Sequence, residues 1–88
     1  MGGSLDQVKS WVGKTVICID PEKESSPARR KQLEKGKTYR IKSVSVGNHD
    51  AFVYLEGFPD KIYSEYSKRN ITNCFNARAF VLADREGN

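Results

Sequence analysis

The sequence predicts a small all-β domain, folded as a barrel, with a short N-terminal helix. Three stretches carry this prediction because each has the composition or the period-2 alternation of a β-strand: 15–20, 37–46 and 51–58. The 88 residues suffice for one domain with one modest core. We assign the domain to 5–84, between a disordered or non-native segment at 1–4 and a polar tail at 85–88.

The short helix is predicted at 5–12. Ser4 and Gln7 have the spacing of a capping box, and apolar residues including Trp11 follow at helical intervals. Gly13 offers a C-terminal stop. A helix this short is not stable alone, so we expect it to dock on the barrel with Trp11 as a plug.

The first strand, predicted at 15–20, is β-branched and almost wholly apolar, which indicates burial of both faces. A polar, charged loop at 21–35 follows it. Within this loop Ser26 can cap a helical turn that has Pro27 at its first position. Leu33 is the strong apolar anchor that we expect to hold the loop to the core.

The long second strand changes phase in its middle. Tyr39 and Ile41 occupy the apolar positions first, and Val44 and Val46 occupy them after a slip of one residue. A slip of this kind predicts a β-bulge or a sharp bend, which small barrels use to turn a corner. We expect this strand to form a hairpin with 51–58.

The last third of the chain gives a weaker pattern. Residues 59–73 have no clean period, and we interpret them as a loop with a helical turn. A tight turn at 76–79 and a short closing strand at 80–83 are predicted from the anchors Phe80 and Leu82 and the residues before them.

Four sequence blocks together resemble the small SH3-like β-barrel proteins of unknown function that bacteriophages and prophages encode. They are Val16-Ile17-Cys18-Ile19-Asp20, Leu33-x-x-Gly36-Lys37-x-Tyr39, Val53-Tyr54-Leu55-Glu56-Gly57 and Phe75-Asn76-Ala77-Arg78-Ala79-Phe80. The resemblance covers about residues 14–83 and implies a five-stranded, partly open SH3-like barrel, in which the last block is a 3₁₀ turn before the closing strand. The first loop is longer and more basic than in the family, and Ala79 stands where a basic residue is usual.

The resemblance specifies a fold and hardly a function, because SH3-like barrels host many unrelated roles. The charge distribution is more informative. Residues 22–42 contain eight Lys or Arg and three acids, a net +5, whereas the rest of the chain has seven bases and eight acids, a net −1. Such a basic region suits nucleic acid or an acidic protein.

We therefore expect a non-enzymatic interaction module, encoded by a phage or prophage, that binds a host protein through its basic loop and exposed aromatics. The alternative is a small basic nucleic-acid-binding accessory protein that uses the same face. The aromatic candidates either contact a partner or cover the core. The candidate partner-binding residues are Arg29, Arg30, Lys31, Lys35, Arg40, Lys42, Tyr54, Phe58, Tyr63 and Tyr66.

An enzyme is not expected, because the sequence has no paired carboxylates, metal cluster or nucleophile constellation. Cys18 and Cys74 belong to no CxxC pair and are interpreted as reduced, buried thiols. His49, beside Asp50 in a turn, is interpreted as a solvated side chain. We expect no metal and no small-molecule cofactor.

A cytoplasmic location is expected, in the bacterial host if the chain is phage-encoded. The sequence has no apolar run long enough to cross a bilayer, and its first residues lack the charged and apolar regions of a signal peptide. A membrane is accordingly not expected among the partners.

Overall fold

A computed structural model describes residues 7–83, which form a compact and mostly β structure. Residues 1–6 and 84–88, which include the predicted N-terminal segment and the tail, lie outside the described residues. No helix within 7–83 is long and apolar enough to cross a membrane. The strands are β1 Thr15–Cys18, β2 Thr38–Val46, β3 Ala51–Leu55, β4 Lys61–Ser64, β5 Arg69–Thr72, β6 Phe75–Asn76 and β7 Phe80–Leu82.

Five of these strands form one antiparallel sheet in the order β6-β3-β2-β1-β7, and β4 and β5 form a separate hairpin. β2 lies at the centre and pairs with β1 through its first half and with β3 through its second. The two end strands, β6 and β7, are not paired with each other, so within the described residues the sheet does not close.

The phase slip in the second strand produces the predicted bulge. Ile41 pairs with Leu55, but the next pair is Ser43 with Tyr54, which leaves Lys42 as the extra residue on β2. Val44 is accordingly among the half-buried side chains that pack on the core after the slip. The bulge lets one strand serve both halves of the sheet.

Burial of both faces of the first strand, however, is not observed. Val16 and Cys18 are fully buried, whereas Thr15 and Ile17 are half-buried and Ile19 is 44% exposed. The strand ends at Cys18, and it lies between β2 and β7 in an open sheet, so only one of its faces meets the core. The continuous run of apolar residues in this strand therefore predicts more burial than the structure shows.

At the N-terminus of the described chain, a 3₁₀ helix spans Val8–Trp11 within the range of the predicted helix. Gly13 follows with φ +82°, and the Lys14 N–H donates to the Trp11 carbonyl at 2.9 Å, which is the predicted stop. Trp11 is half-buried against the core. A helix over the whole of 5–12 is not confirmed, since its first residues lie outside the described part of the chain.

The first loop contains the predicted helical turn. A 3₁₀ turn at Pro21–Lys23 precedes α1, a single α-helical turn at Pro27–Arg30 with Ser26 as its N-cap residue. Leu33 is buried in the core cluster as expected. The C-terminal prediction is also confirmed, because a 3₁₀ helix at Ala77–Ala79 leads directly into β7.

The prediction of a loop with a helical turn at 59–73 is wrong. The segment forms the β4–β5 hairpin, in which Ile62 faces Ile71 as the only apolar cross-strand pair. Lys68, in the connecting turn, has φ +58° although it is not a glycine. Because most side chains on both strands are exposed and polar, the segment lacks the alternation by which a strand is recognised in a sequence.

Candidate interaction surface

The basic first loop is anchored by a buried carboxylate. Glu24 is 1% exposed, and its two oxygens accept hydrogen bonds from the backbone N–H of Asn76 at 2.6 Å and of Ser26 at 3.1 Å. The guanidinium of Arg29 lies 3.6 Å from the same carboxylate. Glu24 therefore joins the loop to β6 and fixes where α1 begins.

A pair of amide side chains makes a second junction between the loop and the segment after β5. Gln32 donates to the Asn73 side-chain oxygen at 2.7 Å, and Asn73 donates back to Gln32 at 3.2 Å and to the Pro59 carbonyl at 2.9 Å. Asn73 is 1% exposed. The two junctions hold α1 against the start and the end of the hairpin segment.

Two of the candidate cations, Arg29 and Arg30, help to anchor the loop. Arg29 donates through Nε to the Thr72 carbonyl at 2.9 Å, and its side chain is only 19% exposed. Arg30 donates to the carbonyls of Glu24, at 3.0 Å, and Ser25, at 3.4 Å. Both guanidinium groups are engaged with the chain itself, so they shape the surface more than they offer charge to a partner.

Two further candidates lie on the outer side of β2, as the alternation predicts, and each is paired with an acid. Arg40 lies 3.7 Å from Glu56, and Lys42, the bulged residue, lies 2.7 Å from Asp60. Just before the strand, the ammonium of Lys37 is 4.0 Å from a Glu34 oxygen. We call this self-neutralised set the β2 face: Glu34, Lys37, Arg40, Lys42, Glu56 and Asp60.

Two of the candidate aromatics pack inward. Phe58 is half-buried, and its ring centroid lies 5.7 Å from that of Tyr39 and 5.6 Å from that of Phe75. Tyr54 is half-buried beside Cys74, whose thiol its hydroxyl contacts. These two aromatics therefore contribute to the interior, the second of the two roles left open by the sequence.

Both cysteines are free and buried, as the sequence predicts. Burial raises the pKa of the Cys74 thiol, and the nearby Arg29 guanidinium offsets part of this rise. Burial also raises the pKa of Cys18. His49 is exposed in the turn between β2 and β3. Within residues 7–83, no three His, Cys, Asp or Glu side chains are grouped so that they could hold a metal ion.

The other two candidate aromatics are the most exposed in the described chain. Tyr63, on β4, is 56% exposed, and Tyr66, in the turn of the hairpin, is 82% exposed. The hairpin packs against α1, and Tyr66 and Lys31 line one shallow groove of about 240 Å³ with Pro27, Ala28 and Glu65. The fold thus brings the basic loop and Tyr66 together at this groove.

Four cations of the basic loop and the hairpin have no acidic partner among the described residues. Lys31, Lys61, Lys68 and Arg69 are exposed, and none forms an ion pair within the described part of the chain. Glu65 is the one acid on the hairpin. Arg69 lies opposite Ser64 in register, on the other side of the strands from Lys61 and Tyr63. We call the remaining set the hairpin face: Lys31, Lys61, Tyr63, Glu65, Tyr66 and Lys68.

Two larger grooves lie elsewhere. Lys35, the remaining candidate, lines a groove of about 490 Å³ with Lys31, Leu33 and the 3₁₀ turn at Pro21–Lys23. Another groove, of about 480 Å³, lies between Trp11, the β2–β3 turn and the 3₁₀ helix at Ala77–Ala79. Of the candidate residues, only Lys31 both lines one of these two larger grooves and belongs to the hairpin face.

Comparison of the chain with protein-family models finds no match, and comparisons with curated proteins and with solved structures find none either. What the molecule offers a partner is therefore inferred from its own surface.

Two cations of the hairpin face are not among the candidate residues that the sequence offers: Lys61 and Lys68. They lie in the segment whose strands were missed, so nothing in the sequence placed them beside Tyr63. The pairing of Arg40 with Glu56 did have a signal, because both residues lie in the predicted hairpin of 37–46 with 51–58. Pairing the charges across that hairpin would have found it.

Proposed function

We propose that this protein is a non-enzymatic interaction module that binds another protein through its hairpin face. The observation that carries the proposal is the exposure of Tyr63 and Tyr66 on one hairpin. Tyrosine is enriched in protein interfaces because it contributes a large apolar area at a small loss of conformational entropy. Two such side chains on a face with unpaired cations suit a partner surface better than they suit open solvent.

The proposed fold family is the SH3-like, partly open barrel. Support comes from the strand order, from the bulged β2 that pairs in both halves of the sheet, and from the 3₁₀ helix before β7. The four sequence blocks that resemble phage and prophage barrels support an origin of that kind. We therefore propose that the partner is a host protein in the bacterial cytoplasm.

The test is an affinity capture from bacterial lysate, with and without nuclease, using the wild type and two double variants. Tyr63→Ser with Tyr66→Ser removes the exposed tyrosines. Val12→Ser with Ile19→Ser is the matched control, since these side chains are 49% and 44% exposed away from the hairpin. Circular dichroism and thermal unfolding establish that both variants are folded.

We expect the wild type and the control to retain the same protein after nuclease treatment, and the tyrosine variant to lose it. Retention of that protein by the tyrosine variant contradicts the proposal. Loss of all bound material on nuclease treatment would instead favour the nucleic-acid-binding alternative, in which tyrosines stack on bases and cations contact phosphates.

A further inference from the structure

The charge of the hairpin face is unbalanced, and the imbalance identifies the kind of partner. Three cations stand against one acid there, whereas the cations of the β2 face each have a carboxylate within 4.0 Å. An exposed cluster of one sign attracts groups of the opposite sign and disfavours partners of its own sign. The described chain places no carboxylate within ion-pair distance of these cations, so their charge is open to a partner.

The geometry of the hairpin favours an extended partner. Lys61 and Tyr63 are two residues apart on β4 and therefore point to the same side, with Thr72 and Asn70 opposite them in register. All four are exposed, so this side presents one charge and one aromatic ring in succession along β4, with two polar side chains beside them on β5. A chain in extended conformation repeats its side chains at the same spacing, with acids beside Lys61 and an apolar group on Tyr63.

We infer that the hairpin face takes an extended, acidic segment of a partner protein, with carboxylates at the cations and an apolar residue against the tyrosines. This inference rests on the proposed function and adds the chemistry of the partner. A nucleic acid is less well matched because its backbone needs cations along its whole track. The cations of β2 that would lengthen the track are already paired with Glu56 and Asp60.

The test measures fluorescence anisotropy with three labelled probes: a peptide of alternating glutamate and apolar residues with a central tryptophan, the same peptide with glutamine for glutamate, and an oligothymidine. Lys61→Gln with Lys68→Gln removes two cations of the hairpin face. Lys14→Gln with Lys23→Gln is the control, because it removes the same charge from exposed positions elsewhere.

We expect the acidic peptide to bind the wild type at least about tenfold more tightly than its glutamine counterpart, since several exposed charge pairs contribute. The hairpin variant should weaken this binding by roughly five- to tenfold, and the control by less than about twofold. Raising the salt concentration should reduce the difference between the two variants.

Equal binding of the two peptides overturns the inference, and so does equal weakening by the two variants. Tighter binding of the oligothymidine than of the acidic peptide would assign the face to nucleic acid. A failure of this inference is distinguishable from a failure of the proposed function. If the tyrosine variant loses the captured protein while the acidic peptide does not bind, the face binds a protein but its partner is not acidic.

Discussion

The β2 face and the hairpin face contain the same kinds of exposed cation and differ in what surrounds them. On β2, the strand register and the bulge place Arg40 beside Glu56 and Lys42 beside Asp60. On the hairpin, the cations have no carboxylate within ion-pair distance in the described chain, and two tyrosines are exposed among them. Folding thus neutralises the cations of one region and leaves those of the other unpaired, a difference that the number of basic residues does not reveal.

The two faces also depend differently on the interior. The hairpin face is built on α1 and the β4–β5 hairpin. Glu24 joins the loop that contains α1 to β6, Arg29 joins α1 to β5, and Asn73 joins the segments before and after the hairpin. The β2 face belongs to the central strand itself. Substitutions in the polar junctions should therefore disturb the hairpin face first.

The largest effect is expected for Glu24→Ala, which removes the acceptor for two backbone N–H groups and the partner of Arg29. Leaving buried donors and a partly buried cation unsatisfied should lower the free energy of unfolding by about 3 kcal/mol. Urea denaturation measures this change. Glu22→Ala, an exposed acid in the same loop, should change it by less than about 0.5 kcal/mol, and equal effects of the two variants would contradict the anchoring role.

A smaller loss is expected for Asn73→Ala. It removes the reciprocal pair with Gln32 and the bond to the Pro59 carbonyl, so the free energy of unfolding should fall by about 2 kcal/mol. Amide hydrogen exchange should increase in 61–72 more than in β2. Asn70→Ala, at an exposed position of the same hairpin, should leave both measurements nearly unchanged, and a comparable loss there would argue against the amide pair.

The buried Cys74 thiol, beside Arg29 and Tyr54, should make the stability of the protein depend on pH. Because burial raises the pKa of the Cys74 thiol above its ordinary value of 9.0, the unfolded chain loses this proton first as the pH rises. The thiol's contribution to stability is therefore fully present below pH 9.0 and is lost as the pH rises toward the folded pKa. The slope from this one group is at most about 1.4 kcal/mol per pH unit.

Urea unfolding of the wild type and of Cys74→Ala across this alkaline range measures that slope. We expect a shallower fall in stability for the variant, with part of the fall remaining because burial raises the pKa of Cys18 in the same way. Parallel curves for the two proteins would show that the Cys74 thiol makes no such contribution.

The smallest expected change in the free energy of unfolding comes from neutralising one lysine on each face. Lys42→Gln loses its pair with Asp60 and should lower the free energy of unfolding by about 0.5 kcal/mol, as exposed ion pairs do. Lys68→Gln loses no partner and should lower it by less. A double-mutant cycle with Asp60→Asn, measured at low and high salt, isolates the pair. A coupling near zero at low salt would remove the distinction between the faces.

Local patterns in the sequence predicted the parts of the fold that depend on neighbours in the chain. The slip between Ile41 and Val44 gave the bulge, and Ser26 with Pro27 gave α1. The hairpin at 61–72 could not be recognised, since Ile62 and Ile71 are the only aliphatic residues on its strands and most of the other side chains are exposed and polar. The burial of Glu24 was equally invisible, because its acceptor role depends on Asn76, far along the chain.

The candidate site shows the same division. Tyr63 and Tyr66 lie among polar residues in the sequence, and both are exposed. Phe58, another of the aromatic candidates, packs between Tyr39 and Phe75. Only the three-dimensional packing distinguishes an aromatic that fills the core from one that faces a partner.

The account's central claim is that a partner binds the hairpin face and leaves the β2 face free. The most direct measurement is a titration of ¹⁵N-labelled protein with the acidic peptide, followed through the backbone amide resonances. We predict shifts at Lys31 and across 61–72, with Arg40, Lys42 and Glu56 unchanged. Shifts confined to those β2-face residues, or to the groove beside Trp11, would contradict the claim and place the interaction elsewhere on the molecule.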